Sequence, residues 1–320
     1  MLDAYQQALN GALALDLSLA GRVRVTGRDR LDFLHRLSTQ DLKALPVGRL
    51  ATTVLTTPIA RIVDRIDVLN LGEHLILLTG AGRTTTVRKW LAGYIFFRDE
   101  VKLQDVSAEL GQIGLVGSQA AAILAAELPG FDAGMPAGAV AVQADVVVAR
   151  LPRLGLDGFV LLPSAAETSN WLARLQVGGA TLGDEAAHEQ LRVRAGEPGP
   201  GHELTDAYLP LEVELWGAVS FSKGCYIGQE ILARMESRGK LARRLRGLRA
   251  ATALTVGAEV RADLAGAGES VVGAVTSAVD LPDLGPIGLA VLRTAVEPGQ
   301  AVAAGGVAAT VVELPFTMRC

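Results

Sequence analysis

The sequence contains very little cysteine: Cys225 and Cys320 are the two thiols among its 320 residues. Two cysteines provide neither a disulfide framework nor the Cys-x-x-Cys spacing of a zinc site. They are also too few to supply the four thiolates of a resident iron–sulfur cluster. Cys320 is the last residue, where chains commonly fray. We therefore expect no intrinsic metal or iron–sulfur cluster, and any thiol chemistry should depend on Cys225.

Long hydrophobic runs are lacking as well, although 50% of the residues are apolar and the mean hydropathy is +0.33. The longest uncharged run, residues 298–312, is rich in glycine and too short for a membrane-spanning helix. The amino terminus, MLDAYQQALNG, has an acid at position 3 and no basic start, so no signal peptide is evident. These features predict a cytoplasmic protein without a membrane partner.

Several ligand-binding patterns are missing. The net charge of −4 gives no overall attraction to nucleic acid. Nucleotide binding has no support, because there is neither a Gly-x-Gly-x-x-Gly turn nor a Walker-type lysine. The four histidines are scattered without metal-site spacing, at His35, His74, His188 and His202. The densest basic run comprises Arg234, Arg238, Lys240, Arg243, Arg244, Arg246 and Arg249. This run is either a solvated face or a site for an anionic ligand tail, since arginine forks match carboxylates.

The hydrophobic pattern predicts an α+β protein of two or three domains. Strand-like runs with a few helices over residues 22–91 indicate an antiparallel α+β lobe instead of alternating βαβ units. Residues 112–175 follow a β-α-β-β-α order, in which Ser118 is the predicted helix cap. From residue 245 onward, short strands separated by glycine indicate a small barrel or sandwich.

The segment Lys223–Glu230, KGCYIGQE, concentrates the chemistry of the chain. We predict a strand end over 218–221 and a helix that begins near Gly228, which places Cys225 on a turn before a helix N-terminus. Such a position favours an anion, and the charge of Lys223 would lower the thiol pKa further. Gly224 and Gly228 leave the backbone around the thiol bare. These residues alone leave two interpretations open, a reactive thiol and a buried structural cysteine.

A glycine- and proline-rich segment, AGEPGPGH at residues 195–202, follows a predicted helix over 183–194. Backbone N–H groups in such a segment can cradle a ligand. Composition alone favours a plain linker.

Taken together, these residues resemble the YgfZ family of folate-binding proteins, relatives of the glycine-cleavage T-protein (aminomethyltransferase). The resemblance is carried by KGCYIGQE and its flanks, RVRAGEPGPGHELTDAYLPLE before it and RGKLARRLRGL after it. It extends to VTGRDRLDFLHRLSTQDL, GSQAAAIL, GLDGFVLLP and the terminal VVELPF, and so covers nearly the whole chain.

The resemblance implies a T-protein-like fold of three lobes around a central cavity that holds tetrahydrofolate. Residues 1–105 with about 183–240 would form the first α+β lobe and carry the motif. Residues 106–182 would form a second antiparallel α+β lobe, and 241–320 a C-terminal β-barrel.

The resemblance also implies which residues contact the folate. Phe159 would pack against the pterin, and Arg243 or Arg244 would face the glutamate tail. Two positions differ from the family pattern. Asp64, followed by Arg65, stands where T-proteins carry paired aspartates, and Arg194 stands where the family has a glutamate.

By the same resemblance, the protein would support assembly or repair of iron–sulfur clusters in client enzymes, without classical turnover. Cys225 would be the functional thiol and Lys223 its tuner. Gln229 and Glu230 would hold the turn by hydrogen bonds, and Gly224, Tyr226 and Gly228 complete the motif. The expected partners are a folate and iron–sulfur client or assembly proteins.

Two alternatives remain. One is a tetrahydrofolate-dependent aminomethyltransferase, against which the Lys-Gly-Cys motif and the broken aspartate pair argue. The other is a non-catalytic scaffold that has lost folate binding.

Overall fold

The computed structural model describes residues 4–239, 241–264, 266 and 268–317. Lys240 of the basic run and Cys320 lie outside these residues. The α-helices are α1 (Ala4–Asn10), α2 (Arg30–Leu37), α3 (Thr84–Ala92), α4 (Ala120–Glu127), α5 (Thr168–Val177), α6 (Glu185–Ala195) and α7 (Gln229–Arg238). The strands are β1 (Leu13–Asp16), β2 (Ala20–Thr26), β3 (Arg49–Thr56), β4 (Ile62–Asn70), β5 (Leu75–Ala81), β6 (Lys102–Asp105), β7 (Ile113–Val116), β8 (Val140–Gln143), β9 (Val146–Arg150), β10 (Gly158–Leu162), β11 (Thr181–Gly183), β12 (Arg243–Ala250), β13 (Glu259–Asp263), β14 (Glu269–Leu281), β15 (Gly285–Arg293), β16 (Ala301–Ala304) and β17 (Val307–Val312).

The first sheet is antiparallel and has the order β3-β4-β5-β2-β6. Helix α2 covers it, because Phe33, Leu34 and Leu37 recur at helical spacing and pack on strand residues such as Val23. The predicted α+β character of this region is confirmed.

The second sheet has the order β11-β1-β7-β10-β9-β8. Its β1 pairs antiparallel with β7 and parallel with β11, so the lobe is not wholly antiparallel as predicted. Strand β1 lies within the range predicted for the first lobe, yet its hydrogen bonds place it in the second sheet. The division of the rest of the chain into three lobes stays a prediction.

Helix α4 begins without the predicted cap. Its first residue is Ala120, preceded by Gln119, and no side chain caps it. Ser118 is not needed there, because the carbonyls of Gly11 and Gly117 accept from the N–H groups of Gln119 and Ala120.

The C-terminal strands close into a six-stranded barrel, in the order β12-β15-β14-β13-β16-β17. Strand β16 is an element that the sequence analysis did not identify. Helix α6 packs Leu191 and Val193 into a core shared with the barrel residues Ile287 and Leu289. This shared core connects the barrel to the segment that follows α6. Within the described residues, no helix is long and apolar enough to cross a membrane.

Candidate functional site

The segment just before the motif forms no strand. A short 3-10 helix, Trp216–Ala218, stands near the predicted strand end at 218–221. Thr39 explains this difference: its hydroxyl donates to the Ala218 carbonyl (2.6 Å), and its own carbonyl accepts from Ser220 N (2.9 Å). These backbone groups are therefore satisfied without a neighbouring strand.

Lys223 anchors the first end of the motif loop. Its Nζ donates to the carbonyls of His35, Ser38 and Gln40 at 2.5, 2.7 and 2.9 Å. Burial lowers the pKa of this ammonium to about 8. An ammonium has three N–H donors, so none remains to hydrogen-bond the Cys225 thiol. The structure gives Lys223 an anchoring role, while the tuning of Cys225 by its charge stays a prediction.

The second end of the loop is fixed where α7 begins. The Tyr226 ring is buried beside Leu232 of α7, and Thr56 Oγ1 donates to the Ile227 carbonyl (2.6 Å). Gly228 precedes the helix with φ of +84°. Helix α7 therefore starts where the sequence predicts.

Glu230 does not hold the turn as predicted. It is 86% exposed, and its Oε1 accepts from Arg234 Nη2 (2.8 Å) within α7. The turn is closed instead by the backbone, where Gln229 N donates to the Tyr226 carbonyl (3.3 Å). Because this bond needs no side chain, Glu230 is left on the helix surface.

Between these two anchors, Cys225 is exposed. A side chain at the neighbouring Gly224 would meet no atom within 4 Å. The interpretation as a buried structural cysteine is therefore wrong, and a second molecule can reach the thiol. Among the described residues, no group of three or more His, Cys, Asp or Glu side chains is placed to hold a metal ion.

A cavity of about 320 Å³ is lined by both sheets, by α6 and by the segment after α6. Leu78, Leu151 and Val160 belong to its apolar wall. Its charged and titratable wall includes Arg65, Asp67, Arg153, His188, Arg192 and Glu197. Cys225 is not among the lining residues, so the thiol and the cavity are separate features.

Glu197 is the centre of the charge cluster in this wall. Its Oε1 accepts from Arg65 Nη1 (2.8 Å) and lies 3.7 Å from Arg153 Nη1, while Oε2 accepts from Leu154 N (2.8 Å). Burial alone would raise the pKa of Glu197, but Arg65 and Arg153 outweigh it and hold the pKa at about 2. Arg153 also donates to Asp67 (2.5 Å). The cluster is therefore ionised and internally paired.

Composition does not reveal this cluster. The composition of residues 195–202 favours a plain linker. That interpretation is wrong, because Glu197, Pro198 and Pro200 line the cavity. Arg65 and Glu197 are 132 positions apart, so no spacing in the sequence relates them. The usable signal is a lone acid within a glycine–proline segment, which often needs a distant cationic partner when it is buried.

Asp64 lies in β4 next to this cluster but is almost completely buried. Its Oδ2 accepts from Gly80 N (3.0 Å), and Gly80 lines the cavity. Burial raises the pKa of Asp64 to about 6, although the hydrogen bond from Gly80 and the charges of Arg83 and Arg65 lower it. Asp64 itself does not line the cavity, so its role toward folate stays a prediction.

The raised pKa of Asp64 predicts a pH-dependent effect of Asp64→Asn. The folded protein holds this proton more tightly than the unfolded chain, so stability decreases as pH rises from about 4 to above 6. The asparagine variant is expected to be more stable than wild type by about 3 kcal/mol at pH 8, and equal to it near pH 4. Urea denaturation at a series of pH values measures the difference. A difference that does not change with pH would contradict the prediction.

His188 faces the cavity from α6. Burial lowers the pKa of the imidazole below its ordinary value, so the ring is neutral at pH 7. None of the described residues forms a hydrogen bond with this ring. In the sequence, His188 is only one of four scattered histidines.

The predicted folate contacts Phe159 and Arg194 differ in their position relative to the cavity. Phe159 borders the cavity, but its side chain is 1% exposed and packs edge-on to Phe131 in the core beneath α4 and α5. The guanidinium of Arg194 acts on the pKa of Tyr5, which burial and a hydrogen bond to Asp283 raise and Arg194 lowers. Arg194 is not a lining residue.

The two barrel arginines are likewise engaged elsewhere. Arg243 donates to both carboxylate oxygens of Glu212 at 3.0 and 3.1 Å, and Arg244 donates to Glu214 (2.6 Å). Neither residue lines the cavity, because these acids hold them at the start of β12. Their roles toward a glutamate tail stay predictions.

Comparison with known proteins identifies the family of this chain. The sequence profile of the GCVT N-terminal domain matches residues 3–223. The chain belongs to this family. Aminomethyltransferases from Geobacillus kaustophilus and Listeria monocytogenes are both 31% identical to it, over 77% and 95% of the chain and 70% and 86% of their own lengths.

This GCVT-family chain also resembles a chloroplastic protein of Arabidopsis thaliana whose name proposes a transferase. The identity is 31% over 82% of the chain, which spans 61% of that relative. The crystal structure of the glycine cleavage system aminomethyltransferase T from Bartonella henselae superposes with a TM-score of 0.86. It is 23% identical, with 98% of this chain and 88% of that one covered. At this identity the likeness confirms the T-protein fold.

Proposed function

We propose that this GCVT-family protein binds a reduced folate in its central cavity and uses Cys225 to support the iron–sulfur clusters of client enzymes. The observation that carries the proposal is the placement of the thiol. Cys225 is exposed on a loop fixed at both ends, by Lys223 and by Tyr226, and lies outside the cavity lining. A protein partner can therefore reach the thiol while a folate occupies the cavity. We also propose a cytoplasmic location.

The cavity fits the pterin part of tetrahydrofolate. Its volume of about 320 Å³ lies at the lower end of the range for small-molecule pockets. Leu78, Leu151 and Val160 provide apolar wall, and the neutral ring of His188 provides a hydrogen-bonding group. Bound tetrahydrofolate would supply a carrier of one-carbon units. The chain would bind and orient the ring, and the cluster around Glu197 would keep the wall in a fixed geometry.

Aminomethyl transfer is a second candidate, favoured by the bacterial relatives named as aminomethyltransferases. The residues at the two positions of the T-protein aspartate pair argue against aminomethyl transfer. The first acid of the T-protein pair is matched by Asp64, which holds the Gly80 N–H, and the second is replaced by Arg65, which pairs with Glu197. We therefore place this activity second.

A tetrahydrofolate titration tests the cavity. Val160→Trp is expected to weaken binding by about tenfold or more, because the larger ring fills part of the pocket. Arg194→Glu, outside the lining, is expected to retain wild-type affinity. Isothermal titration calorimetry measures both. Absence of binding to wild type would favour the scaffold alternative.

Complementation of a strain that lacks the protein tests the role of the Cys225 thiol. Cys225→Ala is expected to lose rescue of iron–sulfur enzyme activity without loss of stability, because the side chain is exposed. Ser222→Ala, exposed on the same loop, is the matched control and is expected to rescue fully. Full rescue by Cys225→Ala would refute the thiol role. Glycine-cleavage turnover with the lipoyl carrier protein would establish the second candidate instead.

A further inference from the structure

Gln112 is a buried polar side chain that the fold does not satisfy. It directly precedes β7 and is 6% exposed, yet its Oε1 has no hydrogen-bond partner among the residues that the structure describes. Its Nε2 likewise forms no hydrogen bond with any described residue. The backbone around it is fully used, since Gln112 N donates to Ser18 Oγ (3.2 Å) and its carbonyl accepts from Leu17 N (2.8 Å). The unmet group is therefore the carboxamide alone.

Gln112 belongs to the wall of the central cavity. The other groups of that wall differ from it, because most are already paired inside the protein. Arg65 and Arg153 are bound to Glu197 and Asp67, as described above. Arg192 donates to Glu189, to Glu203 (3.0 Å) and to Ser277 (2.7 Å). These three arginines are therefore bound within the protein, whereas the Gln112 carboxamide remains available to a molecule in the cavity.

A buried amide without a partner is costly, and a fold retains it at a cost to stability unless another molecule satisfies it. A carboxamide offers one acceptor and one donor side by side. Its complement is a planar group with an adjacent N–H and C=O, which is the lactam edge of a pterin or a related heterocycle. A charged ligand group would instead meet arginines whose partners it must displace.

We propose that Gln112 is a ligand-recognition residue of the central cavity, which binds the lactam edge of the ligand's heterocycle. The inference rests on the proposed folate function for its choice of ligand, and it adds the part of the ligand that is recognised. It also predicts that binding depends little on salt, because the recognition is by neutral hydrogen bonds.

Gln112→Leu tests the proposal, with the surface substitution Gln104→Leu as the matched control. Thermal shift of the ligand-free proteins comes first. Gln112→Leu is expected to leave the melting temperature unchanged or to raise it by about 2–4 °C, because no internal bond is lost. A decrease of several degrees would show that the amide supports the fold, and would overturn the proposal.

Titration with two probes then identifies what Gln112 recognises. Tetrahydrofolate and 6-methyltetrahydropterin, which lacks the glutamate tail, are both expected to bind Gln112→Leu about 10- to 100-fold more weakly than wild type. Gln104→Leu is expected to bind both like wild type. Unchanged affinity in Gln112→Leu, or a loss confined to tetrahydrofolate, would overturn the inference while folate binding stands.

The same titration also distinguishes a failure of the folate function from a failure of the proposed role of Gln112. If wild type binds 6-methyltetrahydropterin but not tetrahydrofolate, and Gln112→Leu loses that binding, the folate function fails and the role of Gln112 stands. If neither probe binds wild type, both proposals are overturned.

Discussion

Replacement of Glu197 by glutamine is expected to destabilise the folded protein by about 3 kcal/mol at pH 7. Glutamine has the same shape and can still accept from Leu154 N, but it carries no charge. Arg65 would then lose its carboxylate partner, whereas Arg153 would keep Asp67. Side chains in this cluster are shielded from water, with Arg65 and Glu197 only 16% and 15% exposed. Chemical denaturation measures the loss.

The pH dependence of this loss follows from the pKa of Glu197. Its folded-state value of about 2 lies below the ordinary 4.5, so the stabilisation is present above pH 4.5 and is lost as pH falls toward 2. The wild type and the variant should therefore converge in acid. A difference that persists at pH 2 would show that glutamine acts through packing and not through charge.

Glu230→Gln is the matched control for the charge change. Glu230 accepts from Arg234 at 2.8 Å, the same distance as the bond from Arg65 to Glu197. It is 86% exposed, so solvent screens the pair and its loss should fall within the small range of surface salt bridges. Equal losses in the two variants would contradict our account of the cluster.

Gly228→Ala is expected to disrupt the motif loop, with a loss of stability of roughly 2–4 kcal/mol. The residue has φ of +84°, which disfavours a side chain. A Cβ would also lie 2.9 Å from both Ala60 Cα and Thr57 O, which are backbone atoms that cannot rotate away. The loop would have to move off the turn between β3 and β4.

Gly224→Ala provides the control within the same motif. A Cβ at Gly224 would meet no atom within 4 Å, so this variant should keep wild-type stability. Denaturation and limited proteolysis of the loop compare the two. Rescue of iron–sulfur enzyme activity should be lost in Gly228→Ala along with the position of Cys225. A Gly228→Ala protein as stable and active as Gly224→Ala would refute the docking of this loop.

Much of the fold follows from local sequence pattern. Phe33, Leu34 and Leu37 predict the buried face of α2, and the alternating run around Val23 predicts β2, because each pattern matches the period of its element. The start of α7 after Gly228 is predicted for the same reason. Elements with weak patterns were missed: β16 consists of small residues, AVAA, which signal neither a strand nor a helix strongly.

The functional site is predicted by the sequence less completely than the fold is. The motif marks the loop that carries Cys225, since its glycines and lysine are consecutive in the chain. The motif predicts that Lys223 acts on the Cys225 thiol. The ammonium of Lys223 instead binds carbonyls of residues 35–40, and no local pattern in the sequence relates these residues to Lys223. Arg243 pairs with Glu212, and Arg244 pairs with Glu214. Arg194 lies beside Tyr5 of α1. These surroundings of the predicted folate contacts follow from tertiary packing and not from local sequence.

The sequence by itself determined the types and order of most secondary-structure elements, the family resemblance and the place of Cys225 on a turn before a helix. These properties depend on residues within a few positions of one another. Only the tertiary structure decided that Cys225 is exposed and that Glu197 joins Arg65 and Arg153 in a cavity wall. It also decided that the Gln112 carboxamide has no partner within the described part of the chain. Burial and ion pairing depend on which distant segments meet. Because Arg65 and Glu197 are 132 positions apart, their meeting is a property of the fold.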